Sequence, residues 1–290
     1  MSITGLLERS RTSFGVAIAA DCLLVQRWST GDGKGGSSET RRQEIPPGLL
    51  SLSAVEPNIK AVSTLAQLVE RELIEVGGVG QQVALVLPDL AIRAFVFPSD
   101  LKAQPEELMA RMAPRLSYPR SEARMDVWQA PAGWTLAAAA RNVVLRQYEQ
   151  ALEAVGCHVV LVDGASLIPI PDWAEAARER SRVSPDETSI FVQLYPGHYT
   201  LSVMRNADML DVRTKLRDSG DEARIAEHLL RLPLLFGAEE CDRISVGGQG
   251  AAGVADSLAG RGLAQEKIQV GALDEQAHLA HLLETLLRRL

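Results

Sequence analysis

The residues best placed to do chemistry in this chain are few, and most of them fail on spacing. Gly247, Gly248 and Gly250 put unencumbered backbone between an apolar run and the start of a helix, where exposed N–H groups suit an anion or a nucleotide. The same glycines would equally serve a strand-to-helix turn with no ligand. Asp163 follows an apolar strand, a place from which a carboxylate can position water. No metal-binding neighbour accompanies it, and capping the next turn is the simpler role. His278 and His281 stand three apart on a helical stretch, but a catalytic zinc takes three protein ligands and no third is in view. His158, His198 and His228 show no metal spacing either, and Ser166 and Ser202 lack the surroundings of an activated serine. No catalytic residue and no metal site are expected.

Two stretches that are versions of one another frame these residues. Phe14 to Asp21 runs into Leu23 to Trp28, and Ser189 to Gly197 runs into Tyr199 to Met204. Each is an apolar strand, a short turn and a second apolar strand, the pattern of a β-hairpin. Ser29 to Gly48 collects Gly31, Gly33, Gly35 and Gly36. Without a Gly-Lys-Ser/Thr ending it is no phosphate loop, and it reads as a flexible hairpin extension. A helix from about Asn58 carries Val62, Leu65, Val69, Leu73 and Val76 on one face and stops at Gly77 and Gly78. Strands are expected at Gln82–Leu87, Ile92–Phe97, Asp126–Gln129, Trp134–Ala140 and His158–Val162, with helices from Pro105 and over Asn142–Val155.

A polar linker from about Asp172 to Glu187 then separates the halves. The second hairpin leads to a strand at Leu210–Lys215, a helix at Asp221–Phe236 disturbed by Pro233, a strand at Arg243–Val246 and a helix at Ala251–Arg261. The last helix aligns Leu279, Leu282, Leu283, Leu286 and Leu290, and packing onto the second half is the simplest account of that stripe. Strands alternating with helices, begun afresh in each half, predict two α/β lobes, residues 1–171 and 172–290.

Composition sets limits on the partners. A net charge of −7 argues against a general nucleic-acid binder, and the cluster Arg111, Arg115, Arg120 and Arg124 reads as a solvated face. Hydrophobic content of 46% with 23% charged residues is that of a soluble globular protein. Cys22, Cys157 and Cys241 are too scattered for a disulfide framework or a zinc site, which implies buried thiols in a reducing compartment. Met1 to Arg11 carries charge where a secretory signal needs an apolar centre. The longest apolar run, Val83 to Phe97, is broken by Asp89 and Arg93 and falls short of the ~18 residues of a membrane span. A cytoplasmic location is expected.

Several segments match one family in order: Val86 to Arg93 followed by Val96-Phe97-Pro98, Met112 to Pro119 followed by Met125 to Gln129, Ala137 to Arg141, Ala154 to Gly156 with Val160 to Asp163, and Ser245 to Gly250. Over nearly its whole length the chain resembles the PilM family, the cytoplasmic actin-like proteins of type IV pilus assembly. It is also similar to the cytoplasmic region of GspL from type II secretion. The resemblance implies an actin-like (ribonuclease-H-like) two-lobe fold with a small inserted subdomain in the first lobe, about 81–141. In active members of that superfamily the two hairpin turns grip nucleotide phosphates, and each first strand delivers an acidic residue. Here Ala17 and Ala19 hold those places in one half, Gln193 and Tyr195 in the other, and Asp21 comes too late. Between Leu216 and Asp242 one helix fits where an ATP-binding relative inserts a covering subdomain.

The second lobe is therefore expected to be reduced, Gly247, Gly248 and Gly250 to be a vestigial nucleotide turn, and no cofactor to be bound. The rival, a genuine Mg-ATP-binding ATPase of the same machinery, requires the missing acids and cover. The role implied by the resemblance is a non-catalytic scaffold that docks the cytoplasmic N-terminal tail of a PilN-like single-span membrane protein, with the assembly ATPase as a further partner. It would meet the membrane through that protein, without inserting. Docking an extended tail needs apolar pockets and free backbone groups. The inserted subdomain is the expected wall of that groove, with Ile92 and Val96 on it.

Overall fold

Apolar residues alternating along short runs pair as half-buried strands do, and the two hairpins open two separate sheets. The computed structural model describes residues 12–30, 36–98, 104–181, 186–239, 241–271 and 275–288, so the expectations for Met1 to Arg11 and for Gly31, Gly33 and Gly35 lie outside the described residues. β1 (Thr12–Ile18) and β2 (Cys22–Thr30) form the first hairpin, with Val16 opposite Val25. β3 (Gly36–Glu44) pairs with β2 over its full length. The expected flexible extension is thus corrected from Gly36 onward: it is an edge strand whose exposed polar residues carry no apolar alternation. α1 (Val62–Val76) ends at Gly77, which takes the left-handed conformation of a helix stop.

β4 (Gln82–Leu87) returns to lie parallel to β1. β5 (Ile92–Phe97), α2 (Pro105–Met112), β6 (Ala123–Gln129) and β7 (Thr135–Arg141) follow, then α3 (Asn142–Glu153) and β8 (His158–Gly164). The first-lobe sheet has the order β3-β2-β1-β4-β8, and β5-β7-β6 form a small antiparallel sheet of their own. The inserted sheet therefore begins at Ile92 rather than near Gln81, because β4 is buried between β1 and β8.

The stretch expected as a linker is largely a helix, α4 (Ile170–Ser181), in which Ile170, Ala174 and Ala177 recur at helical spacing and are buried. The second lobe contains β9 (Thr188–Tyr195), β10 (His198–Arg205), β11 (Asp208–Leu216), α5 (Glu222–Leu235), β12 (Arg243–Gly248), α6 (Ala251–Gly260), β13 (Ile268–Val270) and α7 (Glu275–Arg288). Its sheet order, β11-β10-β9-β12-β13, repeats that of the first lobe position for position. α5 is the helix between β11 and β12 and has Pro233 in its last turn.

Each lobe is capped by the other's last helix. On one face of the first sheet, Phe14, Val16 and Leu85 meet Leu65, Leu73 and Tyr148 of α1 and α3. The opposite face, with Ala17, Leu24, Ala84 and Val86, is covered by Leu279, Leu282, Leu283, Leu286 and Leu287 of α7. The expectation that α7 packs onto the second lobe is therefore corrected. The reason is a strip of small residues, Gly15, Ala17 and Ala19, that lets the helix approach: a Cβ at Gly15 would lie 2.7 Å from Leu283 Cδ2. In exchange, Trp173 of α4 stacks on Phe191 of β9 with centroids 4.4 Å apart.

Candidate functional site

Tyr195 occupies the space between the two hairpin turns. It ends β9, is 3% exposed, and packs among Ala17, Ala19, Ala165 and Leu279. Its ring stacks on His198 at 4.9 Å, and its hydroxyl lies 3.2 Å from Ser166 Oγ. The cavity left there is about 10 Å³, bordered by Ala19, Ala20, Asp89, Tyr195, His198 and Leu279, room for about one water molecule. Ala17 and Ala19 thus have a packing role: they border both Tyr195 and α7.

Asp89 is the residue that reading the sequence missed. Pro88 ends β4, and the short turn Asp89–Ala91 aims a carboxylate into the junction of the lobes. The side chain is 4% exposed and accepts three hydrogen bonds: from Ser166 N at 2.9 Å, Ser166 Oγ at 2.5 Å and, across the lobes, Thr200 Oγ1 at 2.7 Å. Such charge-assisted bonds keep a buried carboxylate affordable. The available signal was an acid breaking the apolar run Val83 to Phe97 directly after a strand-ending proline. His198 stands beside this network with Nδ1 3.3 Å from Pro196 O, while its Nε2 finds no partner among the described residues. Burial pushes its pKa below the ordinary histidine value, against the pull of Asp89. Ser166 is 2% exposed, so no substrate reaches its hydroxyl.

The glycine turn stands at the end of β12, beside β9, and its surroundings are filled by the chain itself. Gly247 and Gly248 pair with Gln193 and Leu194. A Cβ at Gly248 would lie 2.0 Å from the carbonyl oxygen of Leu194, and φ there is +86°, so the ladder alone demands glycine. Gly250 caps α6, with the side chains of Glu222 and Arg217 over it. Arg217 donates to Tyr195 O and to Gln249 O, both at 2.9 Å, tying the second hairpin turn to the glycine turn. Asp163 accepts from Gly164 N at 2.8 Å within β8, a bond to its own neighbour rather than a cap on the next turn.

An apolar groove of about 610 Å³ runs between β8 and the β6–β7 side of the inserted sheet. Ile92, Val127, Trp128, Leu136, Val160 and Leu167 are among its lining residues, with Arg124, Asp126 and Asp163 adding charge. β8 is the edge of the first-lobe sheet and β6 the edge of the inserted one, so backbone groups of both are unpaired within their sheets. Ile92 is 9% exposed at the groove floor. Val96 is not among the lining residues and packs half-buried against the first-lobe core.

No protein-family model and no curated protein matches the sequence. Among solved structures, the chain matches the "PilM-PilN type IV pilus biogenesis complex" with a TM-score of 0.70 and 17% identity, covering 96% of this chain and 98% of that one. The fold is actin-like. A Bacteroides thetaiotaomicron protein with an actin-like ATPase fold and unknown function matches at a TM-score of 0.65 and 9% identity, over 96% of this chain and 99% of the other. The matching strand orders of the two sheets agree with that fold. Among the described residues no helix is long and apolar enough to cross a membrane.

Proposed function

We propose that this chain is a non-catalytic actin-like scaffold of a type IV pilus or type II secretion assembly machine. It docks the extended cytoplasmic tail of a PilN-like membrane protein in the groove between β8 and the inserted sheet. The reading is supported above all by that groove, which offers apolar pockets flanked by two strand edges, the combination that strand addition uses. The similar fold in a PilM-PilN complex agrees with it. The chain then sits in the cytoplasm, at the inner membrane through its partner, and the assembly ATPase is a second partner in this reading.

The rival Mg-ATPase has to place phosphates where Tyr195 and His198 are stacked and where about 10 Å³ remains. It also has to find a metal carboxylate, whereas Asp89 is engaged by Ser166 and Thr200. The test is fluorescence anisotropy with a labelled synthetic peptide copying the cytoplasmic tail of a PilN-like protein, run in parallel with thermal unfolding in millimolar Mg-ATP. Saturable peptide binding with an unmoved midpoint is expected. A ligand at ~100 times its dissociation constant adds about 2.7 kcal/mol, so a midpoint raised by Mg-ATP would overturn the non-catalytic reading. Absence of peptide binding would overturn the docking reading.

A further inference from the structure

A second cavity, of about 300 Å³, opens between β5 and β11, two sheet edges at the junction of the inserted sheet and the second lobe. Four cationic residues from three elements line it: Arg93 of β5, Arg115 in the turn after α2, and Arg213 and Lys215 of β11. Two acids share the wall. Asp89 is engaged by Ser166 and Thr200, while Asp211 pairs with Arg213 and feels Arg115. The lining therefore carries two positive charges in excess, in a protein whose net charge is −7. Arg115 is held over the Phe95 ring at 4.7 Å, which orients its guanidinium beforehand. Ser117 adds a hydroxyl to the wall, whereas Thr214 donates to Thr200 Oγ1, whose own proton goes to Asp89. Burial and the nearby Arg213 both lower the Lys215 pKa, a crowding of like charge that an anion would relieve.

We propose that this pocket binds a phosphate-bearing small molecule, its dianionic group held between Arg93 and Arg115 on the inserted sheet and Arg213 and Lys215 on the second lobe. Guanidinium forks match phosphate oxygens in pairs, and the excess of two charges matches a dianion. The volume is at the lower end of small-molecule sites and is short for an extended acidic peptide. The site shares Asp89 with the filled space between the hairpin turns, and its charge balance calls for no divalent cation. It shares Ile92 and Leu167 with the groove proposed for tail docking, but none of its four cationic residues lines that groove.

The test is isothermal titration of the full chain with inorganic pyrophosphate at low ionic strength, without divalent metal. One saturable site is expected. The double variant Arg93→Gln/Lys215→Gln should bind about tenfold or more weakly, since hydrogen bonds to charged groups are lost, while its unfolding midpoint without ligand stays that of the parent. If the double variant fails to fold, Arg115→Gln carries the same test, because that side chain is exposed. Val160→Glu, in the tail groove, should leave pyrophosphate binding unchanged. No saturable heat at millimolar pyrophosphate, or equal affinity in the arginine and lysine variants, would overturn the proposal. So would binding of a glutamate-rich peptide without binding of pyrophosphate, which would reassign the pocket to a protein.

Discussion

Replacing Asp89 tests whether the lobes are joined by a built-in carboxylate. Asp89→Ala removes three hydrogen bonds to a charged acceptor, each worth about 1.5–3 kcal/mol. Two of the donors have a second acceptor within reach. Ser166 Oγ can turn to the Tyr195 hydroxyl at 3.2 Å, and Thr200 Oγ1 to Thr214 Oγ1 at 2.9 Å. The backbone N–H of Ser166 has no such choice and stays buried without an acceptor. The expected loss is accordingly about 3–4 kcal/mol rather than the full sum. Asp89→Asn keeps one carbonyl oxygen for Ser166 N and turns an amide toward the hydroxyl oxygens, so about 1–2 kcal/mol is expected. Urea unfolding followed by tryptophan fluorescence and far-ultraviolet circular dichroism measures both. A double-mutant cycle with Thr200→Val isolates the bond between lobes, with a coupling of about 0.5–3 kcal/mol expected. Wild-type midpoints in both Asp89 variants, or zero coupling to Thr200, would refute the reasoning.

Gly248→Ala should cost several kcal/mol or abolish folding, because its Cβ would meet the Leu194 carbonyl. Gly250→Ala, facing movable side chains, should cost about 1 kcal/mol; equal losses in thermal melts would contradict this difference. The pKa of His198 is lowered below 6.5 by burial, so as pH falls through that value the unfolded chain takes up a proton that the folded chain refuses. Stability should then decline by at most about 1.4 kcal/mol per pH unit. His228 is shifted in the same direction, so His198→Phe should flatten the decline without removing it, and an unchanged slope in pH-dependent urea titrations would count against the assignment. In the groove, Val160→Glu at a 47% exposed position should leave the melting point alone and weaken tail-peptide binding at least ~10-fold through a buried charge. Ile92→Glu, at a 9% exposed position, should unfold the first lobe instead.

The paired hairpins, the alternation of strand and helix and the single helix between β11 and β12 were legible because period-two and period-3.6 patterns report directly on burial. β3 was not, since Gly36 to Glu44 is an edge strand exposed along most of its length and has no buried side to mark it. α4 hid behind Pro171, Asp172 and a buried stripe made mostly of alanine. The leucine stripe of α7 showed that the helix is buried but carried no information about its partner, which is decided by the small residues Gly15, Ala17 and Ala19 far away in the chain. Those same alanines were read only for the acids they are not, and what packs beside them could not be read. Tyr195, Asp89, Ser166 and Thr200 meet only when both lobes are in place, and their sequence separations carry no period.

The exchange of last helices sets an order on biosynthesis. The leucines that cover Gly15 and Ala17 leave the ribosome about 260 residues after β1 does. At ~5–20 residues per second, the nascent first lobe waits on the order of tens of seconds with one sheet face bare, a natural client surface for a chaperone. The second lobe receives α4 before its own strands have been made and never waits for its cover. A premature stop just before Glu275 would therefore cripple the amino-terminal lobe and spare the carboxy-terminal one, the reverse of what the position of the lesion suggests.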